Sequence, residues 1–331
     1  MIVLMHTLNP KQTSLLTDRK KRSSKPDFTF IDLFAGIGGT RLGFESAGGE
    51  CVFTSEWDAH AQKTYEANFG DIPHGDITKI KANDIPDFDV LLAGFPCQPF
   101  STIGKRQGFE HSTQGTLFYD VARIIATKKP KAFMLENVPG LLSHDSGRTF
   151  KVIDNALKEL GYTVDYKVLD SSHFGVPQQR KRIYIVGFRE DVVLNDFEFE
   201  FPVGRKKNVF ISQFIEKNAE GYSISERLQK SYIYKKDDGR PLVVDSNSDV
   251  QVKTLVASYH KIQRLTGTFV KDGETGLRLF TQSECKAIMG FPENYKIPVS
   301  RTQMYRQFGN SVVVLVISAI AKKMAKTLNA S

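Results

Sequence analysis

Phe28-Thr29-Phe30-Ile31-Asp32-Leu33-Phe34-Ala35-Gly36-Ile37-Gly38-Gly39 decides the class of fold. The apolar run to Phe34 reads as a buried strand. The glycines after it read as a tight turn, and Thr40 to Ala47 as a short helix stopped by Gly48-Gly49. Strand, glycine turn and helix open a nucleotide-binding α/β unit, where glycines admit a ligand to an electropositive helix N-terminus. The spacing falls short of the full GxGxxG fingerprint, so a dinucleotide is only weakly indicated.

The pattern repeats along the chain. A strand from Cys51 to Ser55 ends in Glu56-Trp57-Asp58, and Glu56 follows the glycine turn at the spacing of an acid that binds ribose hydroxyls. Trp57, the chain's only Trp, either stacks on an adenine or fills a core. After a helix with Ala61 and Tyr65 on one face, Gly75-Asp76-Ile77 is an acidic turn that either accepts from an amino group or simply reverses the chain. Val90-Leu91-Leu92-Ala93 is a further strand. It runs into Gly94-Phe95-Pro96-Cys97-Gln98-Pro99-Phe100-Ser101, where two prolines stiffen the backbone around one thiol. Cys97 is either a held nucleophile or a small buried side chain.

A polar stretch over 104–115 is a lid or a surface loop, and a helix from Thr116 to Thr127 carries Leu117, Val121, Ile124 and Ile125 on one face. The strand Ala132 to Leu135 ends in Glu136-Asn137. A carboxylate emerging from an apolar strand is either a proton donor or a satisfied loop acid. A helix follows from Arg148 to Leu160. Gln178, Arg180 and Arg182 then share one face of an extended segment, as phosphate or base contacts or as sheet-surface ion pairs.

Composition bounds the class. The 331 residues are 40% hydrophobic and 25% charged, as in an ordinary globular protein, and suffice for a large core plus a second domain. A net charge of +8 argues mildly for a polyanionic partner. Cys51, Cys97 and Cys285 show neither pairing nor metal spacing, which fits a reducing cytoplasm and no metal. The first residues lack the form of a signal peptide, and the apolar run from Val312 to Ala321 is too short for a membrane span. Residues 1–27, with Arg19-Lys20-Lys21-Arg22, read as a basic flexible tail. Residues 28–189 read as a catalytic and cofactor-binding domain, and 190–276 as a smaller, irregular, β-containing one. Residues 277–331 read as a return to the first, with a capped helix from Thr281 to Met289 and a long terminal helix to Leu328.

The glycine turn, Glu56-Trp57, Asp76, Cys97 and Glu136 all lie just past carboxyl ends of apolar strands. In a doubly wound, mostly parallel sheet those ends line one edge, where ligands bind. The expected result is a cleft with a nucleoside site on one side and a thiol with a carboxylate on the other.

In order, these segments resemble the C5-cytosine DNA methyltransferases of bacterial restriction–modification systems. The resemblance rests on Asp32 to Gly39, Glu56-Trp57-Asp58, Gly75-Asp76-Ile77, Pro96-Cys97-Gln98, Gly115 to Phe118 and Glu136-Asn137-Val138. It continues through Gln178, Arg180 and Arg182, Arg278-Leu279 with Thr281 and Glu284, and Phe308 to Val312. It implies the S-adenosylmethionine-dependent methyltransferase fold, with 190–276 as the target-recognition domain. It implies Cys97 as the nucleophile at C6 of a flipped-out cytosine, Glu136 at ring N3, and Arg182 with Arg180 orienting base and loop.

For S-adenosyl-L-methionine, and the product S-adenosyl-L-homocysteine, the resemblance points to Phe34, Gly36, Gly38, Glu56, Trp57, Asp76, Ile77, Pro96, Leu117, Asn310 and Ser311. For double-stranded DNA the expected contacts are Gln98, Ser101, Gln178, Thr254, Leu255, Ser258, Tyr259, His260 and Arg264. A monomer beside a cognate restriction endonuclease is the expected setting. Gln114 departs from the pattern, since many members carry Arg there. A related branch methylates tRNA, but it carries a Cys-Phe-Thr motif after Glu-Asn-Val, and no Cys lies here between Val138 and Cys285. A nicotinamide oxidoreductase would leave the Pro-Cys-Gln loop and the 190–276 region unexplained. A non-catalytic relative would not need Cys97, Glu136 and Arg182 together.

Overall fold

A computed structural model describes residues 26–95, 117–194, 196–205 and 209–330. Six strands form one sheet in the order β2-β1-β3-β4-β6-β5: β1 Phe28–Leu33, β2 Gly49–Ser55, β3 Val90–Gly94, β4 Ala132–Asn137, β5 Tyr162–Asp170 and β6 Lys181–Arg189. β1 runs parallel to both β2 and β3, and β3 parallel to β4, while β6 lies antiparallel between β4 and β5. The chain leaves β1 toward one side and returns at β3 on the other. That reversal is where doubly wound sheets bind ligands, and the expected fold class is the one observed.

Helices cover both faces because the strands bury both. Ile31 and Leu33 of β1, Leu91 and Ala93 of β3, and Phe133 and Leu135 of β4 pack under α3 (Leu117–Lys128) and α4 (Arg148–Glu159). α3 contributes Phe118, Val121, Ile124 and Ile125 to that core, and α4 contributes Ile153 and Leu157. On the opposite face Phe28 and Phe30 meet Phe44 of α1 (Gly39–Glu45). α2 (Ala59–Phe69) buries Ala61, Thr64 and Tyr65. Gly43 of α1 lies so close to Ile317 that a Cβ there would fall 2.4 Å from its side chain, so only glycine admits the terminal helix.

By compactness the chain divides into two units. One takes in the described residues of 26–170, 181–203 and 317–330 and contains the sheet. The other takes in those of 171–180 and 204–316.

The second unit is poor in regular structure: its longer elements among the described residues are a two-stranded parallel pair, β7 (Leu242–Val244) with β8 (Thr268–Val270), and the helices α5 (Gln282–Met289) and α6 (Arg301–Asn310). The expected capping box is present, with Thr281 and Glu284 each satisfying the other's backbone N–H. The terminal helix, α7, spans Val314–Ala330.

A buried charge cluster ties distant segments of this unit together. Arg278, fully buried, donates Nη2 to Glu284 at 2.8 Å and Nε to Asp272 at 2.9 Å, while Glu284 and Asp272 also accept backbone N–H groups of Glu216 and Asn218. Glu284→Ala removes the fully buried carboxylate of this pair and leaves Asp272 to hold the guanidinium, a loss on the order of 3 kcal/mol. Denaturant melts of both proteins measure it; a difference under about 1 kcal/mol would show the pair is dispensable.

Candidate active site

The sheet's carboxyl edge carries two groups of side chains. The first surrounds the glycine turn. Phe34 holds a left-handed backbone (φ 57°), a conformation that a non-glycine residue adopts at a cost of about 1–3 kcal/mol and that clusters at ligand sites. Gly38 (φ 77°) has no room for a Cβ, which would fall 2.2 Å from the Phe69 ring, while Gly36 (φ 55°) faces open space.

Glu56, just past β2, is buried. Its Oε2 accepts the Gly36 N–H and its Oε1 the Asp58 N–H, both at 2.8 Å. Burial pushes the Glu56 carboxyl up, and the backbone N–H groups of Asp58 and Gly36 pull it back. Trp57 beside it is 79% exposed, so the indole is not core. Asp76 starts a short 3-10 turn, accepting from the Thr78 N–H and hydroxyl, and the Thr78 hydroxyl is the main reason its carboxyl is held down. Ile77 is buried beneath it and Leu117 is half-buried against the core.

Glu136 anchors the second group. It pairs in register with Gly94 on β3 and with Tyr184 on β6. Arg182 lies two residues from Tyr184, on the same face, and its Nε donates to Glu136 Oε1 at 3.0 Å. The other carboxylate oxygen faces Gly94, where a Cβ would stand 3.4 Å from it. Asn137 next to it donates Nδ2 to the Phe95 carbonyl at 2.9 Å. Glu136 and Asn137 thus address the residues from which the Pro96-Cys97-Gln98 loop departs. Pro96, Cys97, Gln98 and Ser101 themselves lie outside the described residues, as do 104–115 and the basic tail to residue 25.

The other two cysteines are poor nucleophiles. Burial pushes the Cys51 thiol up to about 12, and it pushes the fully buried Cys285 thiol well above its ordinary range. Both stay protonated near neutral pH.

Several expected contacts lie inward instead. Gln178 is fully buried: its Nε2 donates to the Ile288 carbonyl at 3.0 Å and its Oε1 accepts the Leu255 N–H at 2.7 Å. Arg180 is also buried and donates to the carbonyls of Leu255, Gly309 and Ser311 at 3.1, 3.1 and 2.7 Å. Gln178 and Arg180 tie loops within their own unit, while Arg182, on β6, meets Glu136.

Tyr259 and Leu255 are core residues, the tyrosine hydroxyl donating to the Thr268 carbonyl at 2.6 Å. Arg264 is buried on Asp238. The Gln178, Leu255, Tyr259 and Arg264 side chains, expected as DNA contacts, are thus all buried. Thr254 donates to the Gln179 carbonyl at 2.8 Å, and Ser258 and His260 are half-buried. Asn310 is exposed at the end of α6, and Ser311 offers its carbonyl to Arg180.

Two buried groups behind the glycine turn escaped the sequence reading. Arg41 donates Nη1 to the Tyr65 hydroxyl at 2.9 Å and to Asp71, and Nε to Glu45 at 2.7 Å, bracing α1 against α2. Asp32 is sealed in, and among the described residues its Oδ2 has no hydrogen-bond partner. Burial pushes its carboxyl up to about 8, against the pull of Arg41. Unfolded, the group ionises at its ordinary 3.8. Between those values the folded chain holds a proton that the unfolded chain has lost, so this group's contribution to stability falls as pH rises from about 4 to about 8. Asp32→Asn, which mimics the protonated acid, is expected to flatten that decline. Thermal melts at the two ends of the window decide it, and an unchanged slope would assign the pH dependence elsewhere.

Among the described residues no cluster of His, Cys, Asp or Glu could hold a metal, and no helix is long and apolar enough to cross a membrane.

The sequence profile of the C-5 cytosine-specific DNA methylase family matches residues 28–326 of this chain. The chain is 62% identical over 310 residues to the type II methyltransferase M.BsuFI of Bacillus subtilis, a match covering 93% of this chain and 75% of that one. It is 57% identical over 328 residues to the type II methyltransferase M.MspI of Moraxella sp, covering 98% and 78%. In fold it is similar to the S. pombe Dnmt2 methyltransferase, with a TM-score of 0.71 over 91% of this chain and 98% of that one. At 22% identity that likeness is one of fold alone.

Proposed function

Because this chain belongs to the C-5 cytosine-specific DNA methylase family and is a DNA cytosine-5-methyltransferase, we propose that it methylates C5 of a flipped-out cytosine in a short duplex sequence, using S-adenosylmethionine and Cys97. The observation that carries this reading is the Glu136–Arg182 pair, set on β4 and β6 opposite the strand that leads into Cys97.

The residues fit the cofactor. An exposed indole beside a buried carboxylate, with open space over Gly36, is a cradle for an adenosine rather than a packed core. Phe34, Trp57, Asp76 and Ile77 would hold the adenine, and Glu56 the ribose, with Pro96 and Leu117 alongside. Bound there, S-adenosylmethionine supplies the methyl group.

Cytosine C5 is a poor nucleophile, so the Cys97 thiolate first adds to C6. Glu136 places a carboxyl oxygen at ring N3 and draws off the charge as the carbon–sulfur bond forms. Arg182 fixes the rotation of that carboxyl. After transfer, loss of the C5 proton restores the C5–C6 double bond and expels Cys97. A stacked base cannot reach the thiol, so the target must leave the helix.

In this reading the enzyme works in the cytoplasm as a monomer beside a restriction endonuclease that cuts the same sequence, and its similarity to type II methyltransferases supports the endonuclease partner. The tRNA alternative gains no support from relatives at this identity, both of them type II methyltransferases. Purified protein incubated with methyl-labelled cofactor and either plasmid DNA or tRNA should place label in 5-methylcytosine at one short sequence of the plasmid; label in tRNA alone would refute the DNA assignment.

A further inference from the structure

The glycine turn between β1 and α1 is tied at its front and propped at its back. At the front, the Ala35 N–H donates to the Ser55 carbonyl at 2.9 Å and the Gly36 N–H to Glu56 at 2.8 Å, so the end of β2 fixes both residues. At the back, Gly38 takes the N-cap position of α1 with no side chain to anchor it. It rests instead on the ring of Phe69, the last residue of α2. A Cβ on Gly38 would stand 2.2 and 2.7 Å from two carbons of that ring, and 3.2 Å from the Tyr65 ring. The Phe69 ring therefore sets how far the turn can settle.

Arg41, the third residue of α1, holds that ring. Its guanidinium carbon lies 4.5 Å from the Phe69 centroid and 5.5 Å from that of Tyr65, and the two rings are 4.5 Å apart. Nη1 donates to the Tyr65 hydroxyl at 2.9 Å and also to Asp71, just past the end of α2. Apart from Glu45 on its own helix, each group that Arg41 meets here belongs to the closing turns of α2 or the residues after them. Arg41 is only 6% exposed, and a cation over aromatic faces is held most strongly when it is desolvated. Its planar fork reaches a hydroxyl, a carboxylate and a ring face at once, which a lysine cannot do.

Resting on the S-adenosylmethionine reading, we propose that Arg41 is a positioning residue for the cofactor: by clamping the Phe69 ring against Gly38 it fixes the height of the glycine turn. It acts through Phe69 and does not itself touch the cofactor. A turn held in its binding shape lowers the ordering cost of a ligand. Loss of the clamp therefore falls on cofactor affinity and spares the chemistry at Cys97, which follows β3.

The probe is S-adenosylhomocysteine, titrated calorimetrically into the full chain well below the melting point of every variant. Arg41→Lys keeps the charge without the fork and should weaken binding about tenfold. Phe69→Leu stays apolar but removes the ring face, and should weaken it by a similar factor. The double variant should bind within about twofold of the weaker single one, because both changes break one clamp. In plasmid methylation the loss should appear in KM for S-adenosylmethionine, not in kcat or in KM for DNA. Ile153→Val, a core change under α4 on the sheet's other face, controls for general loosening. It should lower the melting temperature and leave the affinity as it was.

Wild-type affinity in either Arg41→Lys or Phe69→Leu would overturn the clamp, as would an equal loss in Ile153→Val. Losses that multiply in the double variant would show two separate effects and overturn it too. Should Arg41→Lys not fold, Phe69→Leu decides alone. A wild-type chain that does not bind S-adenosylhomocysteine would overturn the cofactor reading and the clamp with it, so the two failures are told apart by the wild-type titration.

Discussion

Cys97→Ser is expected to lose methyl transfer by at least about a thousandfold while still binding S-adenosylhomocysteine. The size of the effect follows from what addition to C6 requires. A thiol near its ordinary pKa of about 8.5 is a few per cent thiolate at neutral pH and is intrinsically strong as a nucleophile; a serine hydroxyl is almost never ionised there. To act, serine would need a base to take its proton as it attacks, and Glu136 is already engaged by Arg182.

Cofactor binding should survive because most of its candidate residues follow β1 and β2, whereas Cys97 follows β3 and its neighbour Pro96 is left unchanged. Labelled-methyl incorporation and titration calorimetry read the two effects apart. Cys51→Ala is the matched control, since its thiol is kept protonated by burial and lies off the proposed path. Turnover within about tenfold of wild type in Cys97→Ser would remove the covalent step from the mechanism, because no water-level catalysis of C6 addition is that fast.

The parallel sheet was legible because each strand leaves its own signature in the sequence: an apolar run, then a glycine or an acid where the chain leaves the edge. Glu56 and Glu136 were found that way, and both stand where strand ends place them. What could not be read was which polar residues point inward. Gln178 and Arg180 sit in an extended segment whose alternation says only that they share a face. The face is decided by backbone carbonyls at 255, 309 and 311, far along the chain, which make burial of a guanidinium tolerable.

Tyr259 and Arg264 lie inward for the same reason. In a unit with little regular structure, polar side chains take over the task of satisfying loop backbone, and composition alone makes them look like ligands for something outside. Helix α6 was hidden differently. Gly309 near its end reads as a breaker, yet a Cβ there would fall 2.1 Å from the Ala257 backbone N, so the glycine records a close approach rather than a stop.

Glu136→Gln should slow methyl transfer by about a hundredfold to ten-thousandfold, the range that loss of a positioned proton-transfer group produces. An amide retains the size and one hydrogen bond of the carboxyl but cannot exchange a proton with N3, so charge stays in the ring as the thiolate adds. Arg182→Ala should act through the same carboxyl. Its Nε holds Oε1 at 3.0 Å with the two side chains only 16% and 13% exposed, so without it Glu136 loses a fixed rotamer and a buried hydrogen-bond partner.

The two losses therefore should not add. If Arg182 serves by orienting Glu136, the double variant is about as slow as Glu136→Gln alone, and a double-mutant cycle returns a coupling of about the whole Arg182 effect. Single-turnover rates at saturating cofactor and DNA isolate the chemical step from binding. Additive losses would mean that Arg182 touches the base in its own right, and a Glu136→Gln enzyme at full speed would mean that N3 is served by another group.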